Sequence, residues 1–454
     1  MVDLRTSRAL SGRRRRRYRL RGTADVRSLA GYRDSVARPV EAATVPSRPL
    51  LFPKAPAVGL RGRRFLIVSA PFGGFGMALG DVLAARGAEV RRMIFNAGDA
   101  LNWRRPGGVV FKDSAEAWRA RAAVVLADYT DVVLFGEGGP YNRAVLALGE
   151  ALSARVWVLE NGYFRPDWVT VERNGVNASS GLPRFREGYP APGPDVPEVR
   201  PVGRILPHHV ANISLYHIAQ GVGAFTFPRH ANHYTASPWR QCVGHVRRYF
   251  GLMVRGSADA AIDQMAARGP FFLACLQREG DAQLLRYSRY ADNTAFLAAV
   301  VRSFAASAPA DCRLLVKNHP LDPGLVDLER VTRRLAVERG VQDRVDFIDG
   351  GNLARLCRAS RGMVVNNSSA ALSALGFQTP VKVLGDAFFD FDGLTHQGQI
   401  DTFWTDPQAP DASLFARFRA HVIAQTQVNG NYHEPRAMKA TAAGIAAVFE
   451  KSVD

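Results

Sequence analysis

Short apolar runs alternate with helical periods along most of the chain. Near residue 64, the strand-like run "RRFLIVSAP" is followed by the helical period "MALGDVLAARGAEV" and by a second strand-like run, "RRMIFN". The same alternation continues through "AWRARAAVVLADYTD", "DVVLFGE", "AVLALGEALSA" and "RVWVLE". Runs rich in β-branched residues, separated by helical periods and glycine turns, predict βαβ units and a parallel sheet.

A second series of the same kind begins near residue 269 with "PFFLACLQ" and "NTAFLAAVVRSFAASA". It continues through "CRLLVKNHP", "RVDFID", "GMVVNNSSAALSAL" and "VKVLG". The pattern predicts an α/β fold of the GT-B type, with two Rossmann-like doubly wound domains and a cleft between them. A chain of 454 residues is long enough for both.

The predicted organisation has five segments. They are a disordered basic arm, an N-terminal Rossmann-like domain, a bridging segment, a C-terminal Rossmann-like domain and a C-terminal helical tail, at residues 1–60, 61–228, 229–268, 269–408 and 409–454. Ligands of open parallel sheets bind beyond the carboxyl ends of the strands. Polar residues at those strand ends are therefore the first candidates for chemistry.

The formal net charge of +18 is concentrated at the N-terminus. Residues 1–64 contain 17 Arg and Lys residues against four acids, a net charge of +13, which leaves +5 for the rest of the chain. Such a segment attracts anionic lipid or nucleic acid equally well, and a solubilising tail or a misassigned start codon are the plainer explanations. We expect lipid rather than nucleic acid as its partner.

Neither a transmembrane helix nor a secretory signal is predicted, because no run reaches 18 apolar residues and no apolar segment follows the first charges. We therefore expect a cytoplasmic protein that is at most peripheral on the inner membrane. The four cysteines have no CxxC spacing, which argues against a disulfide framework and against a zinc site.

Two consecutive strands of the first series end in an acid. "VVLFGEGGPYNR" places Glu137 after one strand, and "RVWVLENGYFR" places Glu160 after the next. A close pair of carboxylates suits glycosyl transfer with retention, and their mutual repulsion raises one pKa. The plainer interpretation is that each carboxylate binds the amides of its own turn.

Two strand ends of the second series also carry polar residues. "LLVKNHPLD" ends on Lys317, Asn318, His319 and Pro320, where an imidazole and an ammonium group are suited to a phosphate. "GMVVNNSSAALSAL" runs from a strand into 366–369, "NNSS", at the start of a helix, where such residues either cap the helix or bind an anion.

A glycine-rich turn after the first strand is close to a dinucleotide-binding fingerprint, with glycines at 74, 76 and 80. The next strand ends in "IFN" rather than in the acid that binds a ribose, and Pro71 and Phe72 separate the strand from the glycines. We therefore expect the glycines of this turn to let the backbone come close to an acceptor molecule, and no NAD or other cofactor is predicted.

Several stretches in order resemble the capsule polysaccharide biosynthesis and export family of the KpsS or LipB type. They include "FNAGDALNWRR", "LFGEGGPYNRA", "ENGYFRPDWVTVERNGVNASSGLP", "FPRHANHY", "VKNHPLDPGLVD", "FIDGGNLARL", "VNNSSAALSALGFQTPVKVLG", "GLTHQG" and "TQVNGNYH". The resemblance covers residues 64–432 and leaves the arm outside.

The resemblance implies a retaining transferase that moves β-Kdo from CMP-β-Kdo to a lyso-phosphatidylglycerol terminus and so starts a poly-Kdo linker. The first domain would then be the acceptor side and the second the donor side, with no metal required. Its implied partners are a nucleotide sugar, an anionic phospholipid at a membrane surface, and a capsule complex with a further Kdo transferase and an ABC transporter.

The resemblance also implies roles for residues. Glu160, Glu137 and His319 would be catalytic, and the substrate-binding set would be Lys317, Asn318, Pro320, Asn367, Ser368, Ser369, Arg165, Gln277 and Gly162. The chain departs from the expected pattern at Asn161, where a second acid is expected, and at the Gly138-Gly139 pair. A different class of function, a non-catalytic assembly or export adaptor with a GT-B-like shell, stays open.

Overall fold

A computed structural model describes residues 60–203, 205–232 and 258–452, together with the pairs 239–240, 243–244 and 247–248. Apart from residue 60, the predicted basic arm lies outside the described residues, as does much of the bridging segment. The described chain forms two sheets, flanked by helices.

The first sheet has seven strands in the order β3-β2-β1-β4-β5-β6-β12. They are β1 (Arg64–Ile67), β2 (Glu89–Ile94), β3 (Gly108–Val110), β4 (Asp131–Phe135), β5 (Arg155–Asn161), β6 (Trp168–Arg173) and β12 (Gln427–Asn429). The first five are parallel, whereas β6 and β12 are antiparallel to their neighbours. The order 3-2-1-4-5-6 is that of a Rossmann sheet.

Four helices connect these strands, α1 (Phe75–Ala85), α2 (Ala97–Leu101), α3 (Ala115–Leu126) and α4 (Pro140–Leu146), and α5 (Ile205–Val222) follows β6. The starts of α2 and α3 follow ordinary capping chemistry. The side chain of Asn96 accepts the Asp99 amide at the start of α2, and Ser114 accepts the Ala117 amide at the start of α3.

The second sheet has five strands in the order β11-β10-β7-β8-β9, all parallel. They are β7 (Phe271–Cys275), β8 (Arg313–Lys317), β9 (Val345–Ile348), β10 (Gly362–Val365) and β11 (Val381–Val383). The associated helices are α6 (Ala258–Ala267), α7 (Ala282–Arg286), α8 (Asn293–Ser307), α9 (Leu328–Glu338), α10 (Leu353–Ala359), α11 (Ala370–Gly376) and α12 (Ile400–Phe403). This sheet also has the Rossmann order.

The C-terminal segment returns to the first sheet. After α13 (Ala412–Thr426), strand β12 pairs with β6, and α14 (Pro435–Lys451) follows. Phe449 of α14 stacks on Phe65 and lies in the same apolar core as Ile67 and Trp157. The segment predicted as a helical tail therefore supplies both a strand and a core-forming helix to the first half.

Two Rossmann-like sheets in one chain confirm the predicted GT-B class. Their strands run as nearly continuous apolar sequences because both faces of a parallel sheet are covered by helices. Among the described residues, no helix combines the length and the hydropathy needed to cross a bilayer.

A buried ion pair joins the first sheet to the C-terminal helix. Asp131 at the start of β4 is fully buried and accepts hydrogen bonds from Arg63 Nε at 2.9 Å and from Trp157 Nε1 at 2.9 Å. Burial alone would raise the pKa of Asp131, but the hydrogen bonds from Arg63, Thr130 and Trp157 outweigh it and lower the pKa. Arg63 also donates to the Phe449 carbonyl.

Replacing Arg63 with methionine is expected to destabilise the fold by about 3 kcal/mol, because it removes the main partner of the buried Asp131 carboxylate and leaves Arg155 Nε, 3.3 Å away, to neutralise it. Arg91→Met is the matched control, since its pair with Glu89 is about half exposed and its loss costs under about 1 kcal/mol. The measurement is the urea-unfolding midpoint of each variant. Equal midpoints for the two variants would contradict the prediction.

Candidate active site

Glu160 lies at the carboxyl end of β5, where the sheet edge opens. Its Oε1 accepts the backbone N–H of Asn161 at 2.9 Å and the Asn161 amide Nδ2 at 3.2 Å. Burial raises the pKa of Glu160 to about 7, against the opposing effects of the Asn161 N–H and of Arg165. Near neutral pH this carboxyl therefore exists in both protonation states, as a catalytic acid or base requires.

The turn after β4 approaches Glu160 closely. Gly136 has a φ of +68°, and a Cβ at this position would lie 3.2 Å from Oε2 of Glu160. The positive φ favours glycine, and the Glu160 carboxylate leaves little room for a Cβ.

Glu137 is buried and accepts hydrogen bonds from both halves of the molecule. Oε1 accepts the Val176 N–H at 2.7 Å, and Oε2 accepts the hydroxyls of Tyr287 at 2.6 Å and Ser179 at 3.2 Å. Arg286 lies 4.0 Å from Oε2. Since Tyr287 belongs to the second half, this carboxylate ties the two halves together at the sheet edges.

The two predicted acids share one electrostatic neighbourhood with a third acid that the sequence analysis missed. Glu137 and Asp281 both raise the pKa of Glu160. Asp281 caps α7 by accepting the Gln283 N–H at 2.8 Å, and burial raises its own pKa, opposed by Arg278 and Arg165. The only signal in the sequence was a Gly-Asp pair before a short helix, which is typical of any N-cap.

His319 follows β8 and lies among cations. Burial lowers the pKa of His319 to about 3, with further lowering by Arg165, Lys317, Arg278 and Arg248. Its Nδ1 accepts the Leu321 N–H at 3.1 Å, so the neutral ring carries its proton on Nε2. The imidazole is thus a neutral hydrogen-bond donor in a positively charged environment. Such an environment favours binding of an anionic ligand.

The loop around His319 is fixed by its own neighbours. Asn318 Oδ1 accepts the His319 N–H at 2.8 Å, and Lys317 Nζ donates to the Asn318 carbonyl at 3.3 Å. Arg248 donates to the carbonyls of His319 at 2.9 Å and Pro320 at 3.0 Å. Burial lowers the pKa of Lys317. Contact of Lys317, Asn318 or Pro320 with substrate stays a prediction.

The amides of Gln277, Asn366 and Asn367 bind one another and nearby backbone. Gln277 Nε2 donates to Asn367 Oδ1 at 2.7 Å, and Asn366 Nδ2 donates to Gln277 Oε1 at 3.1 Å. Asn367 Nδ2 also donates to the carbonyls of Gln283 and Tyr287, both at 3.1 Å. The structure thus gives Gln277 and Asn367 a supporting role, holding the segment that carries Asp281 and Tyr287.

The two serines differ from the asparagines. Ser368 Oγ accepts the Ala370 N–H at 3.3 Å, whereas the hydroxyl of Ser369 makes no capping bond and is partly exposed. The helix α11 that follows has only seven residues, so its dipole is smaller than that of a longer helix. Donor binding by either serine stays a prediction.

Arg165 and Gly162 shape the turn after Glu160. Arg165 Nε donates to the Gly162 carbonyl at 3.2 Å, and its charge lowers the pKa of Glu160, Asp281 and His319. A Cβ on Gly162 would lie 2.1 Å from the Trp168 carbonyl oxygen, so packing against β6 explains this glycine. The charge of Arg165 therefore acts both on Glu160 of the first sheet and on Asp281 and His319 of the second half.

In the part of the chain that the structure describes, no three His, Cys, Asp or Glu side chains converge in a way that could hold a metal ion. The prediction that catalysis requires no metal stays a prediction.

Comparisons with known proteins agree on a family. Residues 130–433, about two thirds of the chain, match the family model described as capsule polysaccharide biosynthesis protein. The chain is 29% identical to the capsule polysaccharide export protein KpsS of Escherichia coli, covering 82% of this chain and 98% of that protein. It is 32% identical to the capsule polysaccharide modification protein LipB of Neisseria meningitidis serogroup A, covering 81% of this chain and 91% of that protein.

A solved structure of the Thermosulfurimonas dismutans KpsC β-Kdo 2,7 transferase is similar over 78% of this chain and 89% of that one, with 12% identity and a TM-score of 0.37. The family assignment rests on the sequence matches. This chain belongs to the capsule polysaccharide biosynthesis protein family.

Proposed function

We propose that the protein is a retaining glycosyltransferase that moves β-Kdo from CMP-β-Kdo to a phosphatidylglycerol or lyso-phosphatidylglycerol acceptor, starting a poly-Kdo linker. One observation carries the proposal. A carboxyl with a pKa of about 7, Glu160, lies at the edge of the first sheet and shares the charge of Arg165 with a cation-surrounded histidine, His319, of the second. The family membership supplies the capsule context.

The positive surrounding of His319 suits the donor. CMP-Kdo carries a phosphodiester and a sugar carboxylate, so two negative charges must be bound close to one reacting carbon. The Nε2–H of His319 and the charges of Lys317 and Arg278 would stabilise the phosphate as it leaves. Arg165 would lie between that phosphate and the attacking carboxylate.

The proposed reaction proceeds in two displacements. The Glu160 carboxylate attacks the anomeric carbon, a C–O bond forms, and the bond to the CMP oxygen breaks with its electron pair retained by the phosphate. An acceptor hydroxyl then attacks the same carbon, passes its proton to a base, and releases Glu160. Two inversions give net retention. Asp281 and Glu137 are the nearby carboxyls that could take the proton.

The proposed acceptor places the enzyme at the cytoplasmic face of the inner membrane. The basic segment at residues 1–64, with a net charge of +13, would attract anionic phospholipid there. A further Kdo transferase would extend the product, and an ABC transporter would export the finished chain.

The test incubates purified protein with CMP-Kdo, generated in situ, and a fluorescent lyso-phosphatidylglycerol, followed by mass spectrometry of lipid and protein. We expect a lipid that gains one Kdo group and a transient Kdo adduct on the peptide containing Glu160. A folded protein that binds CMP without transferring to any phospholipid would overturn the acceptor assignment.

The alternative of a non-catalytic adaptor makes a different prediction. An adaptor would bind the lipid-linked chain without consuming CMP-Kdo, and substitution of Glu160 would leave capsule export unchanged. Absence of CMP binding by the folded protein would favour the adaptor over the transferase.

A further inference from the structure

Helix α5 (Ile205–Val222) is turned the opposite way from an ordinary surface helix. A surface helix normally buries its apolar side and exposes its charged side. Here the inward side, whose residues are partly buried, makes polar contacts: His209 Nδ1 lies 2.8 Å from His433 Nε2, and Tyr216 binds Asn96 at 2.8 Å and Asp99 at 3.2 Å.

The outward side of α5 is apolar. Six large apolar side chains, between 49% and 80% exposed, lie on the helix and in the short turn after it: Leu206, Val210, Leu215, Ile218, Val222 and Phe225. At about 100° per residue, Leu215, Ile218 and Val222 lie within about 60° of one another around the helix, and Leu206 and Val210 extend the same half of its surface. The sequence of α5, "ILPHHVANISLYHIAQGV", contains no charged residue. We call these six side chains the α5 face.

The stretch of sequence around the α5 face is basic and free of acids. Residues 199–258 contain no Asp or Glu and seven arginines; Arg229 and Arg248 pair with Asp113 and Asp349 outside the stretch, and the other five are Arg200, Arg204, Arg240, Arg247 and Arg255. A neutral apolar face within a basic stretch is the composition of an interfacial helix that lies on an anionic bilayer. A face that binds a protein would not need a surrounding sequence free of Asp and Glu.

The helix also adjoins the candidate active site: His209 contacts His433, and the neighbouring Tyr432 donates its hydroxyl to the Glu160 carbonyl at 3.0 Å. The charge of Arg278 lowers the pKa of His209 and His217 on α5, and the same arginine acts on His319. The inner side of α5 therefore lies within electrostatic reach of the proposed donor site, while its outer side is open to solvent.

We propose that the α5 face docks the protein on the surface of an anionic phospholipid bilayer. The apolar side chains would enter the headgroup region, with the helix lying parallel to the membrane plane. This inference rests on the proposed function, because docking on a membrane would serve transfer to a lipid acceptor. The docking itself can be measured without any transfer.

The test measures partition of the full chain onto vesicles of phosphatidylglycerol and phosphatidylcholine. It is run in about 0.5 M NaCl, where the Debye length falls to about 4 Å and attraction by residues 1–64 is screened. We expect the double substitution Ile218→Glu/Val222→Glu to reduce partition at least tenfold. Ile218→Ser/Val222→Ser, which adds no charge, is expected to reduce it at least threefold.

The matched control is Val124→Glu/Val337→Glu. Both valines are exposed to a similar extent, on α3 and α9, so this variant has the same net charge but an intact α5 face. We expect its partition to stay within twofold of the unmodified chain. Equal loss in the control, or no loss in the serine variant, would overturn the proposal.

Two further readouts separate this inference from the proposed function. Transfer to a short-chain, monomeric lyso-phosphatidylglycerol is expected to survive in the α5 variants, and loss of vesicle partition without any transfer activity would support docking while refuting the transferase. Light scattering reports the oligomeric state. If the α5 variants dissociate an oligomer and keep their vesicle partition, the face binds a second copy and the proposal is wrong.

Discussion

Replacing Glu160 with glutamine is expected to lower the rate of Kdo transfer by about 10³-fold while leaving CMP binding within about threefold. Glutamine keeps the shape of the side chain and can still accept the Asn161 N–H, but it cannot attack an anomeric carbon or exchange a proton. The measurement is initial-rate kinetics with lyso-phosphatidylglycerol, combined with calorimetric titration of CMP.

Glu172→Gln is the matched control for this prediction. Glu172 lies on the adjacent strand β6, and burial raises its pKa to about 7 as well, but it is bonded to Tyr163 at 2.5 Å and to Ser180 inside the core. Its substitution is expected to lower stability and to leave transfer by the folded enzyme within about threefold. If both variants lose transfer equally, the loss results from removing a buried carboxyl and not from a catalytic role of Glu160.

The pH dependence distinguishes the roles open to Glu160. A nucleophile acts as the carboxylate, so transfer should rise as pH increases towards about 7 and then level off; a proton donor would show the reverse. Stability should follow the opposite course. Because the pKa is raised above its unfolded value, the stabilising contribution of the protonated group is lost as pH rises through about 7. Glu160→Gln should therefore gain most in melting temperature, relative to the unmodified chain, at pH 8.

The position of Glu160 could be predicted because it depends on short-range pattern. β4 and β5 are parallel neighbours with Phe135 opposite Leu159, so the residues that follow each strand meet at one edge. The same reasoning placed His319 at the corresponding edge of the second sheet, after β8. The alternation of strands and helices can be recognised from short stretches of sequence. Because ligands bind at the carboxyl ends of parallel strands, the predicted strands also indicate where the site lies.

The contributions of Tyr287, Asp281 and the C-terminal strand could not be predicted in this way. Each depends on packing between segments far apart in sequence, such as the 150 residues that separate Tyr287 from Glu137. The asparagines show a different limit. An amide side chain serves a ligand or a backbone carbonyl equally well, and only the fold shows that Asn367 binds the carbonyls of Gln283 and Tyr287.

The second large effect is expected at His319. Replacing it with alanine should weaken binding of CMP about 10- to 100-fold, because a hydrogen bond to a charged phosphate is lost in a buried, cationic surrounding. His421→Ala is the control, since that partly exposed ring on α13 lies near the Pro190 carbonyl and is part of no candidate site. Its affinity for CMP should be unchanged in calorimetric titration.

His319→Gln tests how the imidazole acts. Because the pKa of His319 is lowered to about 3, the ring is a neutral donor at physiological pH, and a glutamine amide can replace that donor. We therefore expect the glutamine variant to recover most of the affinity that alanine loses. The affinity for the methyl ester of CMP, a phosphodiester that does not titrate in this range, should vary between pH 5 and pH 8 only through the titration of Glu160 near pH 7, and equally in the glutamine variant. An affinity that strengthens as pH falls through 6.5, absent in the glutamine variant, would mean that the imidazolium binds the phosphate and that burial does not keep this histidine neutral.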